Sequence, residues 1–388
     1  MSLITTTKSL EDFCARQAGV EFVTVDTEFM REKSYWPQLC LVQVAGPGEA
    51  VAIDPLAEGL DLRPLFDLMA DTSILKVFHA ARQDVEIFHH QAGQVPRPLF
   101  DTQVAAMVCG FGDSVSYETL VAKVAGVRVD KSSRFTDWSL RPLTERQLAY
   151  ALSDVVHLRP VYDRLRKRLV KSGRIDWLGQ EMSILTSPAT YVIDPANAWL
   201  RFKLRTAKPR QLAILREVAA WRERDAQDRD LPRGRILRDE CVLEIAAHAP
   251  TTVDELAKVR GLGRHLAEGR QGVDLLAAVV RGVSLPDSQC PREDNAAEIP
   301  PGMTPIVDLL RVLLKMKCED HHVASKLIAT GSDLEAIAAD DNAKVPALDG
   351  WRREVFGKDA LALKHGDVAL AISENRLKLV PLEPVKSG

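Results

Sequence analysis

Short β-rich runs occupy only the first 78 residues of the chain, and helical patterns follow them. The turn sequence Gly-Pro-Gly-Glu at 46–49 separates the second run from the third, which predicts two adjacent antiparallel strands. An amphipathic stretch at 60–69 separates the third run from the fourth. This arrangement favours a mixed sheet flanked by helices, an α/β fold. The predicted strands are residues 21–25, 39–45, 50–53 and 74–78.

The chain has 388 residues, more than one ordinary hydrophobic core contains, so two or three domains are expected. Beyond Asp194 no strand pattern is found, and Pro195 with the basic residues after it marks a change of domain. Two similar segments, at 259–264 and 348–353, each follow an apolar helix and open another, which predicts one small helical domain repeated. The predicted division is an α/β domain at 1–193, all-α domains at 194–283 and 303–380, a linker at 284–302 and a tail at 381–388.

Charge is distributed unevenly along the chain. The formal net charge is -3, yet residues 201–238 hold twelve Lys or Arg against five Asp or Glu. A phosphate backbone requires such clustering of its partner, although solvated helix faces with internal ion pairs produce the same pattern. The six cysteines lie far apart without a CxxC pair, which favours a reducing cytosol. We expect a cytoplasmic protein, because no export-signal pattern and no apolar run of membrane-spanning length is found.

Three short acidic patterns suit shared metal binding. Asp26 and Glu28 lie two residues apart at the end of the first predicted strand, which puts both carboxylates on one face of the sheet. Asp84 falls in the first turn of a helix that follows the fourth strand. Tyr150 and Asp154 lie four residues apart on a long helix and so share one face. Each pattern is common by itself, and only the three together indicate a functional site.

Taken in this order, the three patterns resemble the three exonuclease motifs of the DEDD superfamily, in the subclass whose third motif carries tyrosine. The sequences around them, at 27–29, 35–39, 101–103, 130–132 and 136–138, resemble the ribonuclease D family more closely than proofreading or helicase-linked exonucleases. The two helical domains resemble HRDC, the helicase-and-RNase-D C-terminal domain. The resemblance covers nearly the whole chain, and it implies a ribonuclease H-like exonuclease domain followed by two small HRDC-like domains.

The resemblance also implies phosphodiester hydrolysis assisted by two divalent cations, which neutralise charge on the attacking and leaving oxygens. Carboxylates are the ligands that Mg²⁺ and Mn²⁺ prefer, and the sequence offers no Cys or His cluster for a softer metal. By resemblance, Asp26 bridges the two ions, Glu28 and Asp154 complete the first site, and Asp84 holds the second. Tyr150 contacts the attacking water, in an orienting role because a free phenol has a pKa near ~10.

Residues near these motifs have two open interpretations. Asp101 supports the site or only caps the helix that follows it, and His79 is expected to be a hydrogen-bonded structural residue rather than a ligand. The loop at 131–141 offers side chains that either contact phosphates or have other roles, while Trp138 packs this loop down. Those candidates for phosphate contact are Lys131, Arg134 and Arg141.

A glycine turn in the first helical domain is a further candidate for substrate binding. Gly261 and Gly263 let backbone N–H groups at a helix start approach a phosphate, or they permit tight helix packing. This domain follows the basic stretch and is the better candidate for RNA binding, whereas the second is less basic.

The resemblance implies a metal-dependent 3′→5′ exoribonuclease that releases 5′-nucleoside monophosphates and trims the 3′ ends of tRNA precursors and other small structured RNAs. Two alternatives stay open, a 3′→5′ DNA exonuclease and a non-catalytic RNA-binding protein, since no motif reports whether 2′-hydroxyls are recognised. The presence of all four acids and of Tyr150 argues against loss of activity. Two tandem helical domains in one chain lead us to expect a monomer.

Overall fold

The first domain is built on one six-stranded mixed sheet. The structure is a computed structural model that describes residues 2–130, 133, 136–202, 204, 207–292 and 302–382. The strand order is β1-β4-β3-β2-β5-β6; β3 pairs antiparallel with β2 and β4, and the other neighbours are parallel. The predicted mixed sheet is confirmed. The strands are β1 Ser2–Ile4, β2 Phe22–Met30, β3 Gln38–Ala45, β4 Ala50–Ile53, β5 Leu75–Phe78 and β6 Leu99–Asp101.

Strand β2 is longer than its sequence pattern predicts. It continues past Val25 to Met30, so Asp26 and Glu28 lie inside the strand rather than at its end. The acidic sequence resembles a strand end, but β3 pairs with β2 along this whole segment, with one irregularity between Glu28 and Phe29. The side chain of Thr24, two residues before Asp26, donates to a carbonyl of the long helix at 2.8 Å. The acidic face of β2 is therefore turned toward that helix.

Seven α-helices of the described residues surround the sheet. The longest, α6, begins after Thr144, whose side chain and Gln147 form a capping box. Helix α3 begins directly after the loop that leaves β5, and it carries Asp84 in its first turn, as predicted. The helices are α1 Thr7–Arg16, α2 Arg63–Ala70, α3 Arg82–Ala92, α4 Thr102–Val108, α5 Tyr117–Ala125, α6 Glu145–Lys171 and α7 Gly179–Leu185.

The first helical domain packs two long helices, α8 and α13, closely against each other. A Cβ atom at Gly282 would stand only 2.6 Å from the Cα atom of Ile214, so this contact requires glycine. The helices are α8 Pro209–Asp228, α9 Arg233–Ile236, α10 Asp239–His248, α11 Val253–Leu256, α12 Arg264–Glu268 and α13 Arg270–Ser284. In the predicted linker at 284–302, residues 293–301 lie outside the described part of the chain, and Asp287–Gln289 form a short 3-10 helix.

The second helical domain ends in a β-hairpin, so the expectation of an all-α chain beyond Asp194 is wrong. Residues 374 and 375 form a two-residue turn with positive φ angles of 51° and 60°, which matches the twist of the paired strands. Strand β8 reaches Pro381, the first residue of the predicted tail at 381–388, and residues 383–388 lie outside the described part of the chain. The elements are α14 Thr304–His321, α15 Ser325–Ile328, α16 Gly331–Ala339, α17 Gly350–Arg352, a π-helical turn Arg353–Gly357, α18 Lys358–His365, β7 Val368–Ser373 and β8 Arg376–Pro381.

Both helical domains pack against the first domain, through different contacts. The loop at 31–37 leaves β2 and meets the end of α8, where the Asp230 carboxylate accepts from the backbone N–H groups of Tyr35 (3.0 Å) and Trp36 (2.9 Å). The second helical domain shares one continuous hydrophobic core with α4, α5 and α6. At its edge Trp177 and Trp351 stack with ring centroids 4.2 Å apart.

Candidate active site

Three carboxylates meet between the sheet and α6. Asp26 and Glu28 come from one face of β2, and Asp154 comes from α6, which crosses that face. One carboxylate oxygen from each residue lies within 4.8 Å of the others, close enough together to bind one metal ion. The alternation of β2 and the position of Asp154 on α6 therefore create a cluster of hard oxygen ligands.

Asp84, the fourth predicted ligand, lies behind this cluster. It is almost fully buried in the first turn of α3, and the Thr27 hydroxyl donates to its Oδ1 atom at 2.5 Å. Asp84 and Asp26 repel each other electrostatically, so the two carboxylates are neighbours. Asp84 does not line the open pocket in front of the cluster. Its role as a ligand of a second ion stays a prediction.

Burial and mutual repulsion favour the protonated form of these carboxyl groups. Burial raises the pKa of Asp26 to about 7. Burial and the charge of Asp26 raise the pKa of Asp154 to about 8. Burial, followed by the charges of Asp26, Asp154 and Asp84, raises the pKa of Glu28 to about 10, and burial raises that of Asp84 well above its ordinary value. A cation is the ordinary means of keeping such groups ionised at neutral pH.

Without divalent cations, the free energy of unfolding is expected to fall as the pH rises from about 4 to about 8. Unfolded aspartates lose their protons near pH 3.8, whereas folded Asp26 and Asp154 keep theirs to about pH 7 and 8. The folded state therefore binds more protons in this interval, and stability decreases with pH. Mg²⁺ or Mn²⁺ should raise the melting temperature more at pH 8 than at pH 5, as measured by thermal unfolding with cation or EDTA.

The Asp154→Asn variant is the control for this pH dependence. It lacks one of the repelling carboxylates, so its metal-free form should lose less stability between pH 5 and pH 8 than the wild type. A cation-induced increase in melting temperature that is equal at both pH values would contradict the electrostatic explanation.

The carboxylates open into a strongly acidic pocket of about 730 Å³. Neither lysine nor arginine lines it in the part of the chain that the structure describes. Its acidic lining residues are Asp26, Glu28, Glu32, Glu118, Asp137 and Asp154. Such a pocket repels a phosphate unless cations occupy the carboxylate cluster.

Tyr150 lies in the wall of this pocket, one helical turn before Asp154. Its hydroxyl hydrogen-bonds the Asp154 carboxylate. One side of its ring faces the indole of Trp138, with ring centroids 6.1 Å apart. The phenol therefore lies beside the predicted metal ligands, where it would orient an attacking water molecule.

Asp101 and His79 support the loop that leads from β5 to α3. The Asp101 carboxylate caps α4 through Gln103 N–H at 2.7 Å, and it accepts from the N–H groups of Ala80 and Ala81 at 3.0 and 2.9 Å. His79 Nδ1 lies 3.0 Å from the Thr102 hydroxyl. Asp101 thus holds the start of the helix that carries Asp84, which combines the two interpretations given above.

Among the other predicted substrate-contact residues, those that the structure describes do not line this pocket. Lys131 and Arg134 lie outside the described residues. Arg141 is paired with Asp54 at 2.6 Å. Gly261 and Gly263 lie in the first helical domain with φ angles of 84° and 80°, and a Cβ atom at Gly261 would meet Cys241 Sγ at 3.4 Å. These glycines allow a tight turn, and phosphate binding by them stays a prediction.

Sequence patterns did not indicate the contribution of α5 to the site. The Tyr117 hydroxyl donates to the backbone carbonyl of Asp154 at 2.6 Å, and Glu118 lines the pocket. Near α3, Arg31 forms a bidentate pair with Glu86 at 2.7 and 3.0 Å, which ties the end of β2 to that helix. These contacts join residues far apart in the chain, so no local spacing could reveal them.

Comparison with known proteins defines the class of this site. A family model described as a 3′-5′ exonuclease matches residues 1–170, and a model of the HRDC domain matches residues 211–279. The fold, the carboxylate cluster and these matches together define a 3′→5′ exonuclease with a C-terminal HRDC domain.

Full-length relatives narrow the class to one family. Ribonuclease D of Nitrobacter hamburgensis is 55% identical over 97% of this chain and 98% of its own, and that of Gluconacetobacter diazotrophicus is 50% identical over 98% and 96%. The crystal structure of Escherichia coli RNase D, an exoribonuclease involved in structured RNA processing, has a TM-score of 0.81 and 31% identity over 94% of this chain and 98% of that one. The chain belongs to the ribonuclease D family, as the motifs predict.

Proposed function

We propose that the chain hydrolyses RNA from the 3′ end with two bound divalent cations, Mg²⁺ or Mn²⁺, and releases 5′-nucleoside monophosphates. The observation that carries this proposal is the group of three carboxylates in an acidic pocket whose described wall contains no lysine or arginine. The oxygen donors of Asp26, Glu28 and Asp154 fit such cations, and Asp84 lies next to Asp26. Bound cations supply charge neutralisation and water activation in this chemistry.

The residues of the chain have distinct parts in this reaction. The four carboxylates hold the cations, and Tyr150 orients the attacking water beside Asp154. Asp101 holds the loop before α3, which fixes Asp84. Family membership favours the ribonuclease over the two alternatives, the DNA exonuclease and the non-catalytic RNA-binding protein.

A gel time course tests this proposal. Single-stranded RNA and DNA of one sequence, each labelled at the 5′ end, are incubated with Mg²⁺, Mn²⁺ or EDTA. The expected result is a metal-dependent ladder of progressively shorter RNA, weak on DNA, with mononucleotides as product. Shortening of DNA at an equal rate would favour the DNA exonuclease, and binding of RNA without metal-dependent shortening would favour the non-catalytic protein.

We further propose that a groove between α8 and α13 gives RNA a second contact. Trp221 lies at its base, and Arg224 and Arg270 are exposed on its sides. No ion pair of these two arginines is recorded within the described ranges, whereas Arg229 pairs with Asp225 and Arg281 with Glu217. The groove is lined by four arginines and three aspartates, and Trp221 is its aromatic residue. Exposed arginines next to an aromatic ring suit the phosphates and bases of an RNA strand.

Replacing both Arg224 and Arg270 with alanine is expected to raise KM for RNA with little change in kcat. The slope of log KM against log salt should decrease by about 2, since each lost phosphate contact contributes about 1. The control removes two exposed arginines of the second helical domain, Arg353→Ala with Arg376→Ala, and should leave KM near wild type. Equal effects of the two double variants would show a general effect of net charge instead.

We also propose a natural substrate, an oligomeric state and a cellular location for the protein. Trimming of the 3′ ends of tRNA precursors follows from family membership, and the E. coli relative acts in structured RNA processing. A monomer is proposed because both helical domains pack on the first domain of the same chain. All six cysteines are free, which supports a cytoplasmic location. Across the described ranges, no helix has the length and apolar character needed to cross a membrane.

A further inference from the structure

Arg141, a candidate phosphate ligand by sequence, uses all its donors inside the protein. Its Nε and Nη2 atoms donate to Asp54 at 2.7 and 2.6 Å, and Nη2 also donates to the carbonyl of Cys40 at 2.6 Å. Its Nη1 atom donates to the carbonyls of Trp138 and Leu140 at 2.7 and 2.9 Å. A guanidinium group has five N–H donors, and five acceptor contacts occupy them. No donor is left for a phosphate.

These contacts join three separate parts of the first domain. Asp54 directly follows β4, Cys40 belongs to β3, and Trp138 and Leu140 belong to the loop before α6. Asp54 is itself fixed, because it is 5% exposed and accepts from the Leu56 backbone N–H at 3.0 Å. A bidentate arginine–carboxylate pair has a defined geometry, so the loop is anchored to the sheet at one orientation.

The anchored loop places Trp138 against the catalytic tyrosine. Trp138 is 2% exposed, and its ring centroid lies 6.1 Å from that of Tyr150, with the planes tilted by 31°. The indole packs in a small cluster that also receives residues of β3, β4 and α6. The other buried members are Cys40, Leu41, Ala52, Ala151 and Leu152.

We infer that Arg141, paired with Asp54, is a positioning residue that holds Trp138 against Tyr150 and so keeps the phenol beside the Asp154 carboxylate. This inference rests on the proposed function, because it concerns the proposed role of Tyr150 in orienting water. Supporting residues of this kind hold reactive groups within a fraction of an ångström of their working geometry. The charge of Arg141 acts on the loop, and it is not presented to the RNA.

Arg141→Lys is expected to lower kcat by about 10-fold to 100-fold, the usual range for loss of a residue that orients a functional group. Lysine keeps the positive charge, but a single ammonium group cannot span both Asp54 oxygens and three backbone carbonyls. KM, the cation dependence and the salt dependence should remain those of the wild type. Steady-state kinetics on 5′-labelled RNA measure these quantities.

Three further variants separate positioning from general stability. Asp54→Asn breaks the same pair from the other side, and it should reproduce the loss in kcat even if Arg141→Lys fails to fold. In the Tyr150→Phe background, Arg141→Lys should not lower kcat further, because Arg141 is inferred to act by positioning the Tyr150 hydroxyl. Arg16→Lys is the matched control: Arg16 forms a bidentate pair with Glu49 at 3.0 Å and does not line the pocket, so kcat should be unchanged.

Several outcomes would overturn the inference. An increased KM with a shallower salt dependence and normal kcat would show that Arg141 binds phosphate after all. If Arg141→Lys and Tyr150→Phe lower kcat additively, the pair of Arg141 and Asp54 does not act through Tyr150. A wild-type protein without metal-dependent activity would overturn the proposed function together with this inference, whereas an active wild type with either result above overturns the inference alone.

Discussion

Asp26→Asn is expected to abolish metal-dependent shortening of RNA while leaving the protein folded. Asp26 is the common neighbour of the cluster, because burial and then the charge of Asp26 raise the pKa values of Glu28, Asp84 and Asp154. Asparagine has nearly the same size but no negative charge, so the cluster loses the carboxylate proposed to bind both cations. The same loss of charge removes repulsion, so the metal-free variant should melt at a higher temperature than the wild type.

This prediction is checked by kinetics and thermal unfolding on the same preparations. Asp12→Asn is the matched control, because Asp12 is an exposed carboxylate on α1 that pairs with Lys8. It should have wild-type activity and no gain in metal-free melting temperature. Turnover of Asp26→Asn within about 10-fold of the wild type, a loss below about 1.4 kcal/mol in barrier height, would exclude Asp26 as an essential ligand.

Tyr150→Phe is expected to lower kcat by about 10²-fold or more, with KM and metal affinity near those of the wild type. Removing a positioned acid–base group usually costs between about 10²-fold and 10⁴-fold in rate. The phenylalanine ring can still pack against Trp138, so only the hydroxyl that bonds Asp154 is lost. Single-turnover measurements with saturating enzyme separate this effect on chemistry from effects on product release.

Tyr162→Phe provides the control on the same helix. Tyr162 is 2% exposed and packs against the rings of Phe22 and Phe100, with centroids 4.5 and 4.9 Å away. This substitution should leave kcat unchanged. Near wild-type turnover of Tyr150→Phe would remove the tyrosine from the mechanism, and a rise in KM at constant kcat would make it a substrate-binding residue instead.

Sequence patterns predict the two halves of the carboxylate cluster because the geometry within each half is local. An alternating strand places Asp26 and Glu28 together, and a helical turn places Tyr150 above Asp154. What brings the two pairs together is the packing of α6 on the sheet, and that required the family resemblance. The position of Asp84 behind the cluster depends on Thr27, a contact between residues 57 positions apart.

The strands that the sequence patterns did not predict were missed for physical reasons. Strands β1 and β6 have three residues each, which is too short for alternation to be recognised. The hairpin at the end of the chain turns at Glu374 and Asn375, and glutamate is not a residue that favours a positive φ. Arg141 lies in the loop before α6, and its partner Asp54 lies 87 positions earlier, so this ion pair could not be predicted from local sequence.

The hydrophobic core that the first domain shares with the second helical domain has a consequence for how the chain unfolds. Apolar side chains of α4, α5 and α6 are covered by helices of residues 304–365, so neither part can open without exposing the other. The predicted domain boundary at residue 303 therefore does not separate two units that unfold independently. The first helical domain, joined to the loop at 31–37 largely by Asp230 and the buried Tyr35, is the unit that the packing leaves most independent.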